Sequence, residues 1–255
     1  MVLPHVSGLT VHETIGGDPI FQQRLLDLYA EFFPEYSYYL PYMAYRMSLD
    51  IDSDSGFIER WWLVEVDEQP VALRLFKYSL RRNCALVLGT AVRPEFRRYL
   101  VDSYDRLSNY LIDLSTEQIN ADARAAGRRP PIGVVSEFQL PDDSMSAEEY
   151  AYHQHIINRY KEIGCIQLPV DYYEPPHIVN RERYLTVSPS ELHYNHMMLS
   201  ILPIQGGGFD IRNRETTTDF ALAFLTDHYK LPENHWVVRN AFESIERYYG
   251  NAADD

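Results

Sequence analysis

Apolar residues recur along this chain with two different spacings, and the switches between them mark out its elements. Phe21, Leu25, Leu28 and Phe32 step by three or four, the spacing of one helix face, and Asp18-Pro19 before them is a helix start with proline at the first helical position. The stripe stops at Pro34. Residues 61–66 and 71–78 are instead rich in β-branched and aromatic side chains and bracket Asp67-Glu68-Gln69, the pattern of a hairpin. Arg81-Arg82-Asn83 forms the next turn, and the apolar run 85–92 has the length and the Val and Leu content of a strand buried on both faces. These three strands make an antiparallel meander, and residues 2–13 supply a further strand ahead of them.

The helical period returns at Val101, with Tyr104, Leu107, Leu111 and Leu114 on one stripe of a helix running towards Gln118. After the loop at 127–131, residues 132–138 read as a core strand around Val134-Val135 that carries one acid, Glu137. Ser146 followed by Glu149 is a capping box opening a helix through Ile163, with Gly164 as the residue just past its end. Strands are expected at 166–173 and from about 192 to 204. Gly206-Gly207-Gly208 then punctuates the chain without the Lys-Ser/Thr of a phosphate loop. Two more helical stripes follow, over 216–229 and, beyond Pro232, through Val238, Ala241, Phe242, Ile245 and Tyr249. Their apolar faces need cover from the main domain or a second subunit. The pattern predicts an α/β (α+β) fold: a mixed, largely antiparallel sheet of about seven strands flanked by helices over residues 1–205, and a C-terminal helical extension over 206–255.

Composition narrows the functional classes. At 255 residues, 45% hydrophobic and 24% charged, the chain is long enough to bury a real core. A net charge of −14 argues against nucleic acid or an anionic membrane as partner and suits a cationic small molecule. No stretch has the apolar length of a bilayer span, and the first residues lack a basic region followed by an apolar core, so a cytoplasmic location is expected. Cys84 and Cys165 each start a strand-like run, where a free thiol behaves as a small hydrophobe.

Candidate chemistry gathers at the strand–loop–helix unit around Arg93, Arg97 and Arg98. A helix N-terminus beside three arginines is suited to an anion, although solvated arginines in an ordinary connection give the same pattern. Val92-Arg93-Pro94-Glu95-Phe96-Arg97-Arg98 resembles the end of the fourth strand and the start of the pyrophosphate loop of the GNAT superfamily of acyl-CoA N-acyltransferases, V-x-P-E-Y-R-x-x-G-x-G. Arg159-Tyr160-Lys161-Glu162-Ile163-Gly164-Cys165 is similar to that family's F-Y-E-K-L-G-F segment, and Asp171-Tyr172-Tyr173-Glu174-Pro175-Pro176 resembles a Y-x-Q-P ending found in some branches. In order, the three span roughly residues 10–205 by element order.

The resemblance implies transfer of an acetyl or small acyl group from acetyl-CoA or another acyl-CoA to the amine of a small molecule. It implies that Val92, Arg97, Arg98, Tyr99, Leu100 and Val101 hold the donor and that Tyr160 is the acid for the departing thiolate. It also makes Tyr36, Tyr38, Tyr39, Tyr42 and Tyr45 a wall of the acceptor pocket, where ordinary ring packing is the alternative. Glu137 is the candidate base, since burial on a core strand would raise its pKa, while a solvated strand-end carboxylate is the alternative. The family's two loop glycines fall on Leu100 and Asp102, so side chains of Arg97 and Arg98 are expected to replace close backbone contact with phosphate. The same departure leaves open a GNAT-like binding or scaffold protein without catalysis, and an acyltransferase that takes its acyl group from a carrier protein. His153 and His155 cannot share one helix face, and His193 and His196 point to opposite faces of a strand, so no metal site is expected.

Overall fold

The computed structural model describes residues 8–52, 56–101, 104–177 and 193–251. Its described residues divide into two compact units, those of 8–81 and 87–127 in the first, and those of 82–86, 128–177 and 193–251 in the second.

The first unit is built on strands in the order β1 (Leu9–Glu13), β2 (Phe57–Val66), β3 (Gln69–Ser79) and the later part of β4 (Cys84–Val92). The expected strand over 2–13 is seen from Leu9 on, and residues 1–7 lie outside the described part. β2 and β3 pair antiparallel across a two-residue loop. Asp67 and Glu68 both have positive φ, 47° and 65°, as the right-handed twist of a tight hairpin requires. Asp18 caps α1 (Pro19–Phe32), its carboxylate accepting the Ile20 N–H at 2.8 Å. α1 and α3 (Leu107–Ala125) both pack on β3, so residues 71–79 are all buried. That run includes Arg74, whose guanidinium donates to Ser115 at 3.2 Å and Thr90 at 2.5 Å, and Lys77, whose ammonium lies 3.9 Å from the Phe57 ring centroid. Two other buried arginines pair with acids: Arg46 on α2 (Leu40–Met47) donates to Glu59 at 2.6 Å, and Arg60 forks onto Asp122 at 2.6 and 2.7 Å.

Two expectations fail here. α3 begins at Leu107, not Val101: Val101 and Tyr104 instead exchange backbone hydrogen bonds with each other, at 3.2 and 2.8 Å, and Arg106 before the helix is extended. The groups that a helix from Val101 would have used are spent in that turn. β4 is not buried along both faces either, since Cys84–Leu86 are fully covered but residues 87–91 are only half-buried.

In the second unit β8 (Asn195–Pro203) is central. β5 (Gly133–Gln139) pairs antiparallel along one side of it, and β6 (Ile166–Gln167) and β7 (Tyr172–Glu174) pair antiparallel along the other. The single strand expected at 166–173 is thus two short ones, because Pro169 has no N–H for the ladder and breaks the run. The division between units falls inside β4, whose residues 84–86 group here. α4 (Ala147–Glu162) opens on the expected capping box, with the Ser146 hydroxyl accepting the Glu149 N–H and the Glu149 carboxylate accepting the Ser146 N–H. It closes on Gly164 at φ 95°, whose N–H meets the Lys161 carbonyl while the Cys165 N–H meets that of Tyr160, so both glycine and position match the expectation. α5 (Arg214–Leu222) runs on into a single π turn, Ala223–His228, and packs on α6 (Trp236–Asn251), which also packs on β7. Arg82 reaches two acids of this segment, Asp227 at 2.6 Å and Asp219 at 2.5 Å. Both units are mostly antiparallel sheets with helices packed on them, the mixed α/β class that the sequence pattern predicts.

Candidate active site

The residues expected to hold a donor lie in the first unit. Val92 ends β4, buried, and its carbonyl accepts from the Arg97 side chain at 3.4 Å. Arg93 is committed elsewhere: its guanidinium clamps Glu31 at 2.6 and 2.7 Å and its Nε donates to the Pro70 carbonyl. A short 3-10 turn, Pro94–Phe96, follows, and then Arg97, Arg98 and Leu100 project into solvent, Leu100 with 75% of its surface exposed. The loop's backbone is largely closed on itself. The N–H groups of Arg97, Tyr99 and Val101 donate to the carbonyls of Pro94, Phe96 and Tyr104. What faces outward is therefore two guanidinium groups and one large apolar side chain, with Tyr99 half-buried beside Phe96 and Val101 buried. Because α3 starts ten residues after Arg97, its N-terminus is not part of this loop. Asp102 lies outside the described residues.

The tyrosines of residues 36–45 pack ring against ring, Tyr39 and Tyr42 with centroids 5.1 Å apart and Tyr42 and Tyr45 6.5 Å apart. Tyr39 is buried and Tyr45 exposed, so the cluster is partly core and partly surface.

Glu137 lies in the second unit, among groups that sequence reasoning did not assign to it. On β5 successive side chains alternate between faces. Phe138 points to the α4 side, where it packs with Ile157, Met198 and Tyr160; the Phe138 and Tyr160 rings are 4.4 Å apart. Glu137 points the other way. There the Tyr172 hydroxyl donates to Oε1 of Glu137, and the Tyr229 hydroxyl approaches Oε2 at 3.1 Å. Glu174, two residues after Tyr172 on the same face of β7, shares the Tyr229 hydroxyl at 3.4 Å and accepts from His177 at 3.0 Å and Asn195 at 3.2 Å. Tyr172, Glu174 and Tyr229 are buried. The structure thus brings Glu137 together with Tyr172, Glu174, Tyr229 and His177, and sets Tyr160 on the opposite face of β5.

Two carboxyls that share one phenol do not ionise alike. Burial, reinforced by the charge of Glu174, raises the Glu137 pKa well above the ordinary carboxylate range, and the bonds from Tyr172 and Tyr229 offset only part of that. Burial also acts to raise Glu174, but the hydrogen bond and charge of His177 and the hydrogen bonds from Asn195 and Tyr229 outweigh it and hold its pKa below the ordinary value. Burial, then the nearby carboxylates, pushes both phenols up, so they stay protonated donors. A pair of acids with pKa values driven apart is an arrangement suited to proton transfer.

The sequence held part of this signal. Tyr172 and Glu174 stand in the Asp171–Pro176 motif, and their spacing of two puts them on one strand face. Tyr229 had none, because the π turn that aims it follows no sequence period. Among the described residues no group of three or more His, Cys, Asp or Glu is placed to hold a metal ion. Cys84 is buried with its thiol pKa pushed up by that burial, and Cys165 is half-buried; neither is in a disulfide.

No protein-family model matches the sequence, and neither does any curated protein. Among solved structures the chain is similar to a GNAT-family protein of Bacteroides thetaiotaomicron, at 15% identity over 87% of this chain and 99% of that one, with a TM-score of 0.47. It is similar also to an acetyltransferase of Streptococcus agalactiae, at 13% identity over 77% and 99% of the two chains and a TM-score of 0.44. A third is a GNAT family acetyltransferase of Elizabethkingia anophelis with acetyl-CoA bound, at 10% identity, 78% and 99% coverage and a TM-score of 0.38. Likenesses this distant leave function to the chemistry of this chain's own side chains.

Proposed function

We propose that the chain is an N-acyltransferase that moves an acetyl or other small acyl group from a coenzyme A thioester to the amine of a small molecule. The observation that carries this is Glu137, a strand carboxyl that burial and a neighbouring acid make a stronger base than a solvated glutamate. The amine nitrogen attacks the thioester carbonyl carbon, the C–N bond forms as the C–S bond breaks, Glu137 in its ionised form takes the nitrogen's proton from one face of β5, and Tyr160, on the other face, supplies one to the departing thiolate. Arg97 and Arg98 meet the donor's phosphates with their side chains, since the N–H groups of Arg97, Tyr99 and Val101 are already engaged within the loop. The net charge of −14 favours a cationic acceptor.

That closed loop backbone also favours a second reading, a GNAT-like binding or scaffold protein without catalysis. Thiol release from acetyl-CoA in the presence of a panel of primary amines separates the two. The first reading expects amine-dependent release, lowered about a hundredfold in Tyr160→Phe with the unfolding temperature unchanged, because the ring that packs on Phe138 is kept. Equal rates in that variant would remove Tyr160 from the mechanism, and bound donor without any release would favour the binding protein.

A further inference from the structure

Nothing in the family resemblance assigns a role to the chain beyond residue 205, yet one side chain from that part sits on Glu137. The π turn after α5 is closed by the Tyr229 N–H on the Phe224 carbonyl, five residues back, at 2.8 Å. An α-helix turns by about 100° per residue, so without the extra residue the Tyr229 side chain would leave the helix roughly that far from its present direction. Single π turns of this kind recur at functional sites. Here the turn sets the phenol 3.1 Å from Oε2 of Glu137 and 3.4 Å from Oε1 of Glu174.

We propose that Tyr229 and Glu174 are positioning residues of the proton-accepting centre, the Tyr229 hydroxyl passing a proton between the Glu137 and Glu174 carboxyls and the C-terminal helices serving to hold it there. This rests on the acyl-transfer reading of Glu137. A proton on Glu137 moves to the phenol oxygen as the phenol proton moves to Glu174. Glu137 is then the anion and Glu174 neutral, with the total charge unchanged. Glu137 next takes the acceptor nitrogen's proton as the C–N bond forms. Both carboxyls now hold a proton, and one is given up to water before the next turnover, the His177 Nε2–H, 3.0 Å from Oε1 of Glu174, favouring the return of that carboxyl to its anion. Among the described residues, groups facing this exchange include Tyr172 and Glu174 from β7, Asn195 from β8, His177, and Tyr229.

The full-length chain tests this through two readouts: the pH profile of kcat/KM for amine-dependent thiol release, and the titration of the Glu137 carboxyl by carbon-13 NMR. Glu174→Gln removes the charge that raises Glu137, so the titration and the acid limb both move to lower pH. Tyr229→Phe removes a bond that favours the Glu137 anion, so both move to higher pH and turnover falls at least about tenfold. A Tyr229→Phe protein whose titration and limb stay where the parent's are overturns the proposal, whatever happens to its unfolding temperature. If the variants shift the titration but the parent releases no thiol with any amine, the proton bridge stands and the acyl-transfer reading falls. If thiol is released and the limb does not move, acyl transfer stands and the bridge falls.

Discussion

Glu137→Gln is expected to lower amine-dependent thiol release at neutral pH by about a hundredfold to ten-thousandfold, the range general-base catalysis spans. The amide keeps the size of the carboxyl but cannot take a proton. Stability should change in a way that sets this loss apart from unfolding. The folded-state pKa of Glu137 is raised above its unfolded value, so its contribution to stability is fully present below the unfolded pKa and is lost as pH rises through the folded one. Glutamine does not titrate. The unfolding temperature of Glu137→Gln should therefore gain on that of the parent as pH rises from the ordinary carboxylate range through the raised folded-state value. Retained turnover would deny Glu137 the base role, and a pH-independent difference in unfolding temperature would deny the raised pKa.

The second large effect is on folding alone. Arg60 is buried on β2 and donates through two nitrogens to Asp122 on α3, with a longer contact of 3.4 Å to Glu13 on β1. Removing the guanidinium leaves two buried carboxylates without their cation, and breaking such a pair from one side costs about 3–5 kcal/mol. Arg60→Met should lose that much in denaturant unfolding. Adding Asp122→Leu should restore a good part of it, since the orphaned charge on α3 goes as well. An Arg60→Met protein within about 1 kcal/mol of the parent would mean that water or rearrangement satisfies both acids, contrary to the packing described.

Local signals carried well from sequence to structure where the deciding interactions were themselves local. The capping box at Ser146 and Glu149 and the terminal Gly164 are set by residues within one turn of each other, and all were legible. The β2–β3 hairpin was legible too, though its strands run longer than the apolar pattern alone marked. The failures have distant or non-periodic causes. Val101 keeps a helical stripe in sequence but spends its backbone on Tyr104, and Pro169 divides a run whose side chains alone read as one strand. Buried charge was invisible for a similar reason. Arg74 and Lys77 look like solvent positions of a strand until α1 and α3 cover β3 on the strength of pairings made elsewhere. In the candidate site, Glu137 could be picked out as an acid on a core strand, but its partner Tyr229 lies 92 residues away and depends on a π turn.

The donor loop gives the most direct test. Titrating the folded chain with acetyl-CoA in a calorimeter should give saturable binding that weakens steeply with salt, because exposed guanidinium groups meet the phosphates. Arg97→Ala with Arg98→Ala should abolish that heat while leaving the unfolding temperature in place, as both side chains are exposed. Absence of any heat from the folded parent, or undiminished binding by the double variant, would contradict donor binding at this loop and with it the acyltransferase account.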